Sequence, residues 1–500
     1  MRPQLKLSFV AVLALLGMSG CSRHAPGVQP IVPIGDTAAR GFTPMDLERE
    51  AREAIQDRLM RRERQFRELY EPGSLWNELR VEQRDIDAGR LALPQLANIG
   101  RELFLIDFGP AQGLGNGLAA LKSPLAGNKP APNLRHVQGG DFGGPDGTRC
   151  AGCHHVGGLG GGGFAIDNTF ADGDGERPAS GLERQPRALF GAAVLQRLGE
   201  EMSAELQAQA RDAMRTLKTG ESRKLTAKGI AFGTLRKTPS GKLDLLGVRG
   251  VSLDLIVRPF GWKGTSASLR QTVISSLQQN LGIQADELVR RSARGGALGN
   301  GPAEDPDADG VKHEATEGMV SAMTAFIASL TLPMEDLLLD GTFTMALGKG
   351  MQQFASLGCA DCHVPELPLN GTVVRLGPTS ESQPVVDVAP LLATAPGQPH
   401  RVRLYSDLRR HNMGDELSET RGYLGIPKQV WLTPPLWGLS ATGPYLHDGR
   451  AGDIDHAIKA HGGEAEASRK AYASLSMVDG APLRLFLLTL TRPTKLEFRP

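Results

Sequence analysis

The chain has 500 residues, enough for roughly two to four domains with cores of their own. Lys and Arg total 56 against 55 Asp and Glu, a net charge of +1, so no global field draws it to nucleic acid. Aromatic residues make up 5%, Gly (62) and Pro (33) are abundant, and alternating runs of β-branched residues are scarce, which argues for a loop-rich, mainly α protein and against an all-β fold.

At the N-terminus, Arg2 and Lys6 precede an apolar stretch from Leu7 to Gly17, followed by Met18-Ser19-Gly20-Cys21. A basic start and an apolar run too short to span a bilayer read as a secretory signal. The small residues before Cys21 resemble a bacterial lipobox, with Met18 where Leu is more usual. Residues 1–21 are therefore expected to be a lipoprotein-type signal peptide, with Cys21 the lipidation site and the mature chain anchored to a membrane in the bacterial periplasm. Residues 22–95 are read as a tether followed by an amphipathic helical segment. Thr43-Pro44-Met45-Asp46 supplies a cap, a first-turn Pro and an early acid, and Leu47, Ala51, Ile55, Leu59, Phe66 and Leu69 supply an apolar stripe.

Beyond this segment the chain carries Cys150-Ala151-Gly152-Cys153-His154 and Cys359-Ala360-Asp361-Cys362-His363, which use four of its five cysteines. Cys-x-x-Cys-His is the attachment signature of haem c: the two thiols bond the porphyrin edge and the His ligates iron. Cys150, Cys153, His154, Cys359, Cys362 and His363 are accordingly the expected cofactor-binding residues for two covalently bound haems.

Landmarks around these motifs occur twice in the same order. Gly100-Arg101-Glu102-Leu103-Phe104 matches Gly350-Met351-Gln352-Gln353-Phe354 ahead of each motif. Phe260-Gly261-Trp262-Lys263-Gly264 matches Tyr445-Leu446-His447-Asp448-Gly449 after it, each turn leading to a helix that opens at Leu269 or Ile454. Phe326 to Pro333 matches Phe486 to Pro493 as a closing helix stopped by Pro. The repeat predicts two tandem cytochrome c-like domains, 96–335 and 336–500, each with one covalent haem c and preceded by the helical N-terminal segment. Gly113 to Gly147 is expected to be a long loop. Asp305-Pro306-Asp307-Ala308-Asp309-Gly310 has the spacing of half a calcium loop, but Thr316 stands where the terminal Glu is required, so it is read as a surface loop.

Thr433-Pro434-Pro435-Leu436-Trp437-Gly438-Leu439, Tyr445 to Ala451, and His461-Gly462-Gly463-Glu464-Ala465 resemble the dihaem oxidoreductases, also called thiol oxidoreductases, of the bacterial dihaem cytochrome c peroxidase superfamily. Tyr405-Ser406-Asp407-Leu408, His411-Asn412-Met413-Gly414 and Arg258 to Lys263 fit the same family. The resemblance spans roughly Leu96 to Pro493 and is densest in the last part of the chain.

That resemblance implies an open first haem that meets peroxide and a six-coordinate second haem that relays electrons. It implies His461 as second ligand opposite His363, with Met413, His411 and His456 as rivals, and His154 as the first iron's only protein ligand. It also implies Glu287 as the acid–base group, Gln271, Gln278 and Gln279 as groups orienting peroxide, and Trp262 as a bridge between the haems. Trp437 would pack on the second porphyrin, and Arg401, Arg403 and Arg450 would meet haem propionates. Expected partners are a small redox-protein donor or acceptor and peroxide or dioxygen, and calcium between the domains is a further candidate cofactor. An oxygenase acting on an organic substrate, an enzyme that modifies a partner protein, and a non-enzymatic electron-transfer cytochrome remain alternatives. The "thiol" label rests on no residue, because no cysteine is left beyond Cys21 and the two motifs.

Overall fold

The computed structural model describes residues 76–115, 146–173, 178–292, 302–306, 309–335, 341–392 and 398–491, together with Met45, Glu48 and Arg49. The expected signal peptide, the tether, most of the first charged helix and most of the loop before the first haem motif lie outside the described residues. All described residues belong to the unit Phe42–Pro500.

The principal helices are α1 (Leu93–Leu105), α2 (Ala192–Thr216), α3 (Leu269–Ser276), α4 (Asp286–Ser292), α5 (Glu317–Ala328), α6 (Gly341–Ser356), α7 (Ile454–Lys459) and α8 (Met477–Leu488). Among the described residues, no helix is long and apolar enough to cross a membrane. The class is mainly α, with several short antiparallel strand pairs.

Two helix pairs organise the core, α1 against α5 and α6 against α8. Each has a glycine where the backbones meet: a Cβ on Gly100 would lie 1.9 Å from the Ala322 carbonyl oxygen, and one on Gly350 would lie 2.1 Å from that of Pro482. One turn further along, Phe104 meets Phe326 at 5.2 Å between ring centres, and Phe354 meets Phe486 at 5.4 Å. Both second helices are capped at their N-termini, by Thr316 accepting from the Met319 N–H and by Ser476 accepting from the Asp479 N–H. The two glycine-containing turns are likewise alike. Phe260 bridges Ser266 and Tyr445 bridges Ala451, after which Ser268 and Asp453 cap α3 and α7.

The sequence reading has no counterpart for a three-stranded antiparallel sheet of β1 (Ser222–Ala227), β2 (Ile230–Lys237) and β3 (Leu243–Asp244). Leu225, Ala227, Phe232 and Leu235 are buried on its inner face, as are Leu206 and Ala213 of α2, the helix against which β1 packs. Lys224, Thr226 and Arg236 occupy the intervening exposed positions and Arg223 the half-buried one two residues before Leu225, so the alternation is too short and too charged to stand out.

The larger apolar cluster joins α1, α2, α5 and this sheet, and also takes in Leu367, Val374, Val402 and Leu404. Core packing therefore runs across the expected boundary at 335/336. The smaller cluster holds Phe343, Phe354, Tyr405, Ile454, Phe486 and their neighbours. The first charged helix touches it through Glu48, whose carboxylate is buried against the Arg484 guanidinium at 2.9 and 3.0 Å.

Candidate haem site

The second Cys-x-x-Cys-His follows α6. Gly358, at φ +81, lets the helix stop and turn. Cys359–Asp361 then forms a single tight turn, and the His363 N–H donates to the Cys359 carbonyl at 2.9 Å. The ring Nδ1 of His363 lies 3.0 Å from the Tyr405 carbonyl, and Nδ1 of His461 lies 2.7 Å from the Ala457 carbonyl. A carbonyl can only accept, so both Nδ1 atoms carry the proton and both Nε2 atoms keep a free lone pair. Burial holds both rings neutral: it pulls the pKa of His363 down to about 4, and that of His461 below the usual range.

The two ring centres lie 6.4 Å apart, with their planes tilted by 58°. A metal–imidazole bond of about 2 Å, plus roughly 1 Å from nitrogen to ring centre, counted on both sides, needs about 6 Å. The His363/His461 pair thus fits one metal held between two neutral imidazoles.

The first motif is built the same way on one side. Cys150–Cys153 is a helical turn, His154 donates its backbone N–H to Cys150 at 3.0 Å, and its Nδ1 lies 3.2 Å from the Gly161 carbonyl. Burial lowers the His154 pKa to about 4, leaving a neutral ring with Nε2 free. His313, the one histidine between His155 and His363, is 65% exposed and paired with Asp286, so it is not opposite His154. None of the four cysteines forms a disulfide, and burial raises Cys150 and Cys153 to about 12 and Cys359 to about 11.

A cavity of about 310 Å³ opens beside the second motif, lined by Cys359, Cys362, His363 and His461 and closed by Trp437, Met413 and Leu436. Trp262 reaches this cavity from the first half of the chain, its Nε1–H donating to the Gln185 carbonyl at 2.8 Å. Arg187 lies over the Trp262 ring at 5.3 Å, and its backbone also hydrogen-bonds His154. A two-residue path, Arg187 and Trp262, thus connects the first motif with the second cavity.

Sequence reasoning missed two residues of this cavity. Arg187 donates to the Gly261 carbonyl at 3.2 Å and pairs with no carboxylate among the described residues, and burial pulls its pKa down to about 10. A desolvated guanidinium with no counter-charge suits a haem carboxylate. Trp431 stacks on His447 at 4.0 Å, and the buried Lys263 ammonium lies 3.8 Å from the Trp431 ring centre. No motif marks either residue; only the chain's return to the cavity does.

Several expected residues lie elsewhere. Glu287 is clamped by Arg270 at 2.9 to 3.1 Å, and Arg270 also bonds Ser321, Leu376 and Glu317, so this carboxylate balances a buried cation instead of standing free for proton transfer. Gln271 is exposed on α3, whereas Gln278 is buried. His411 offers no lone pair to iron, since Nε2 meets Asp407 and Nδ1 meets Glu464, each at 2.8 Å. His456 is exposed and paired with Asp453. Met413 shares the cavity with His461. Arg401 pairs with Glu366, Arg450 with Asp448, and Arg403 bonds the Tyr405 hydroxyl, so the arginines at the cavity are Arg187 and Arg469.

Paired neutral histidines beside a cysteine motif, in a mainly α scaffold, define a haem-binding protein class. Residues 249–490, just under half of the chain, match the family described as "Di-haem oxidoreductase, putative peroxidase". The match includes Trp262, His363 and His461 but not the first motif at 150–154. Among solved structures, the chain is similar to a MauG-like protein associated with microbial copper homeostasis, at 14% identity and TM-score 0.27, covering 60% of this chain and 88% of that one. It is also similar to the hydrazine synthase of Kuenenia stuttgartiensis, at 14% identity and TM-score 0.26 with the same coverages. No curated protein matches the sequence.

Proposed function

We propose that the chain is an exported dihaem c oxidoreductase of peroxidase type, with two tandem haem c domains at 96–335 and 336–500. The observation that carries this reading is the His363/His461 pair, two neutral imidazoles spaced for one metal, set against a His154 with no histidine opposite it among the described residues. Two haems bound in this way would supply the iron redox chemistry by which peroxide is reduced to water with two electrons and two protons.

The residues divide the work by what they leave accessible. His363 and His461 would together hold the second haem's iron, which would suit that haem to take electrons from a small redox protein. His154 would hold the first haem's iron, and that haem would supply the chemistry that meets peroxide. Trp262, reaching the second cavity while its Arg187 neighbour bonds His154, lies on the route between them. Arg187 would hold a haem carboxylate. A signal peptide and lipid-modified Cys21 would place the protein on a membrane facing the periplasm, where haem c is attached.

Spectra of the ferric full-length protein test this assignment. The wild type should show one low-spin and one high-spin haem, the latter binding cyanide and reacting with peroxide. His461→Ala should convert the low-spin signal to high spin, and Met413→Ala should leave it alone. The reverse result would make Met413 the ligand. Two low-spin haems that ignore peroxide and cyanide would leave an electron-transfer cytochrome.

A further inference from the structure

The loop Asp305-Pro306-Asp307-Ala308-Asp309-Gly310 joins α4 to α5 and does not behave as the open surface loop its sequence first suggests. Asp305 keeps only 7% of its surface, and Pro306 is buried beside it. The Asp305 Oδ2 accepts the Gly310 N–H at 3.2 Å, while its Oδ1 is buried without a hydrogen-bond partner. Asp309 repeats the arrangement: Oδ1 accepts the Val311 N–H at 2.7 Å, and Oδ2 is buried without one.

Burial, together with the charge of nearby Asp305, raises the Asp309 pKa above the usual carboxylate range. Lys312 is close enough to feel Asp305, but its ammonium is exposed and paired with Glu304. A buried acceptor left unmade costs roughly 1–3 kcal/mol, more when charged. Two such oxygens on neighbouring acids call for a cation.

We propose that this loop binds a calcium ion through Asp305 Oδ1, Asp309 Oδ2 and the main-chain carbonyl of Val311. These are the first, fifth and seventh positions of a calcium loop, with Gly310 at the sixth, where the turn needs glycine. Thr316, at the twelfth, is already engaged: its hydroxyl caps the Met319 N–H and donates to the Val81 carbonyl. Without a bidentate Glu there, water completes the shell and affinity falls to the range of about 10⁻⁴–10⁻³ M seen in extracellular modules. The bound ion would brace the loop that leads into α5. The site is separate from the haem-binding residues, so its test does not depend on the proposed redox function.

The test is a calcium chloride titration by calorimetry on the full-length, haem-loaded protein after chelator treatment, with melting curves alongside. Asp305→Asn/Asp309→Asn should bind one calcium fewer than wild type and lose that ion's share of the calcium-induced rise in Tm. In chelator the double variant should melt no lower than wild type, because the carboxylate repulsion is gone. Glu304→Gln should titrate like wild type. If the double variant misfolds, judged by its haem absorption, Asp309→Asn alone carries the same comparison. Equal calcium stoichiometry in wild type and variant, or no binding by wild type, would overturn the proposal.

Discussion

Replacing Gly350 with Ala would place a methyl carbon 2.1 Å from the Pro482 carbonyl oxygen and 2.8 Å from the Phe486 Cβ. Contacts that close do not occur, and the nearest obstacle is backbone, so α6 and α8 must separate by more than an ångström at their crossing. Overpacking of this kind costs typically 1–3 kcal/mol, against which the better helix propensity of Ala returns up to about 1 kcal/mol. Gly348, two residues earlier on the same helix, is the internal control. It is exposed, and its Cβ would meet nothing within 4 Å. Gly348→Ala should therefore stabilise by roughly 0.5–1 kcal/mol. With each kcal/mol worth about 2–4 °C in a domain of some 150–250 residues, thermal denaturation followed by circular dichroism should move up by a degree or more for Gly348→Ala. It should move down by several degrees for Gly350→Ala. The second haem's absorption should shift only in Gly350→Ala, since α6 leads directly into Cys359. If Gly350→Ala melts at or above wild type, or the two substitutions move the transition alike, the close crossing of α6 and α8 is refuted.

Trp262→Phe keeps a ring but makes it much harder to oxidise. Stopped-flow reduction of the first haem through the second should slow substantially with both spectra unchanged, whereas unchanged transfer with a lowered Tm would return Trp262 to a packing role. Glu287→Gln leaves the buried Arg270 guanidinium without its counter-charge, so it should lose roughly 1–3 kcal/mol in denaturant melts while peroxide turnover per folded molecule is kept. Lost turnover at full stability would restore Glu287 as the acid–base group. His411 is buried, which opposes its charge, but hydrogen bonds to Asp407 and Cys362 outweigh burial and raise its pKa to about 10. A raised folded pKa gives stability that is complete below about pH 6.5 and lost as pH climbs through 10. The Tm gap between wild type and His411→Gln should be widest near pH 6 and shrink by pH 10. A constant gap would mean that His411 is not charged in the fold.

Local chemistry made much of this protein readable from the chain alone. Covalent haem attachment needs two thiols and an adjoining imidazole within five residues, and the stretches 150–154 and 359–363 display that signature in the sequence alone. The helix landmarks are also local: Gly100 and Gly350 recur because each must bring a helix onto a backbone carbonyl, and Leu269 and Ile454 open helices because a capping Ser or Asp stands just before them. His461 could be proposed because it follows a recognisable turn, but its 6.4 Å approach to His363 joins residues about a hundred positions apart and exists only in the folded chain. Burial and pairing are likewise tertiary properties. Glu287 looks like a free helix carboxylate until Arg270 meets it, and His411 like an iron ligand until Asp407 and Glu464 take both its nitrogens. Arg187 and Trp431 carry no motif at all, because what singles them out is a missing counter-charge and a stacked neighbour. Asp305 and Asp309 show the same division: their spacing is written in the sequence, but only packing could bury one oxygen of each and leave it without a donor.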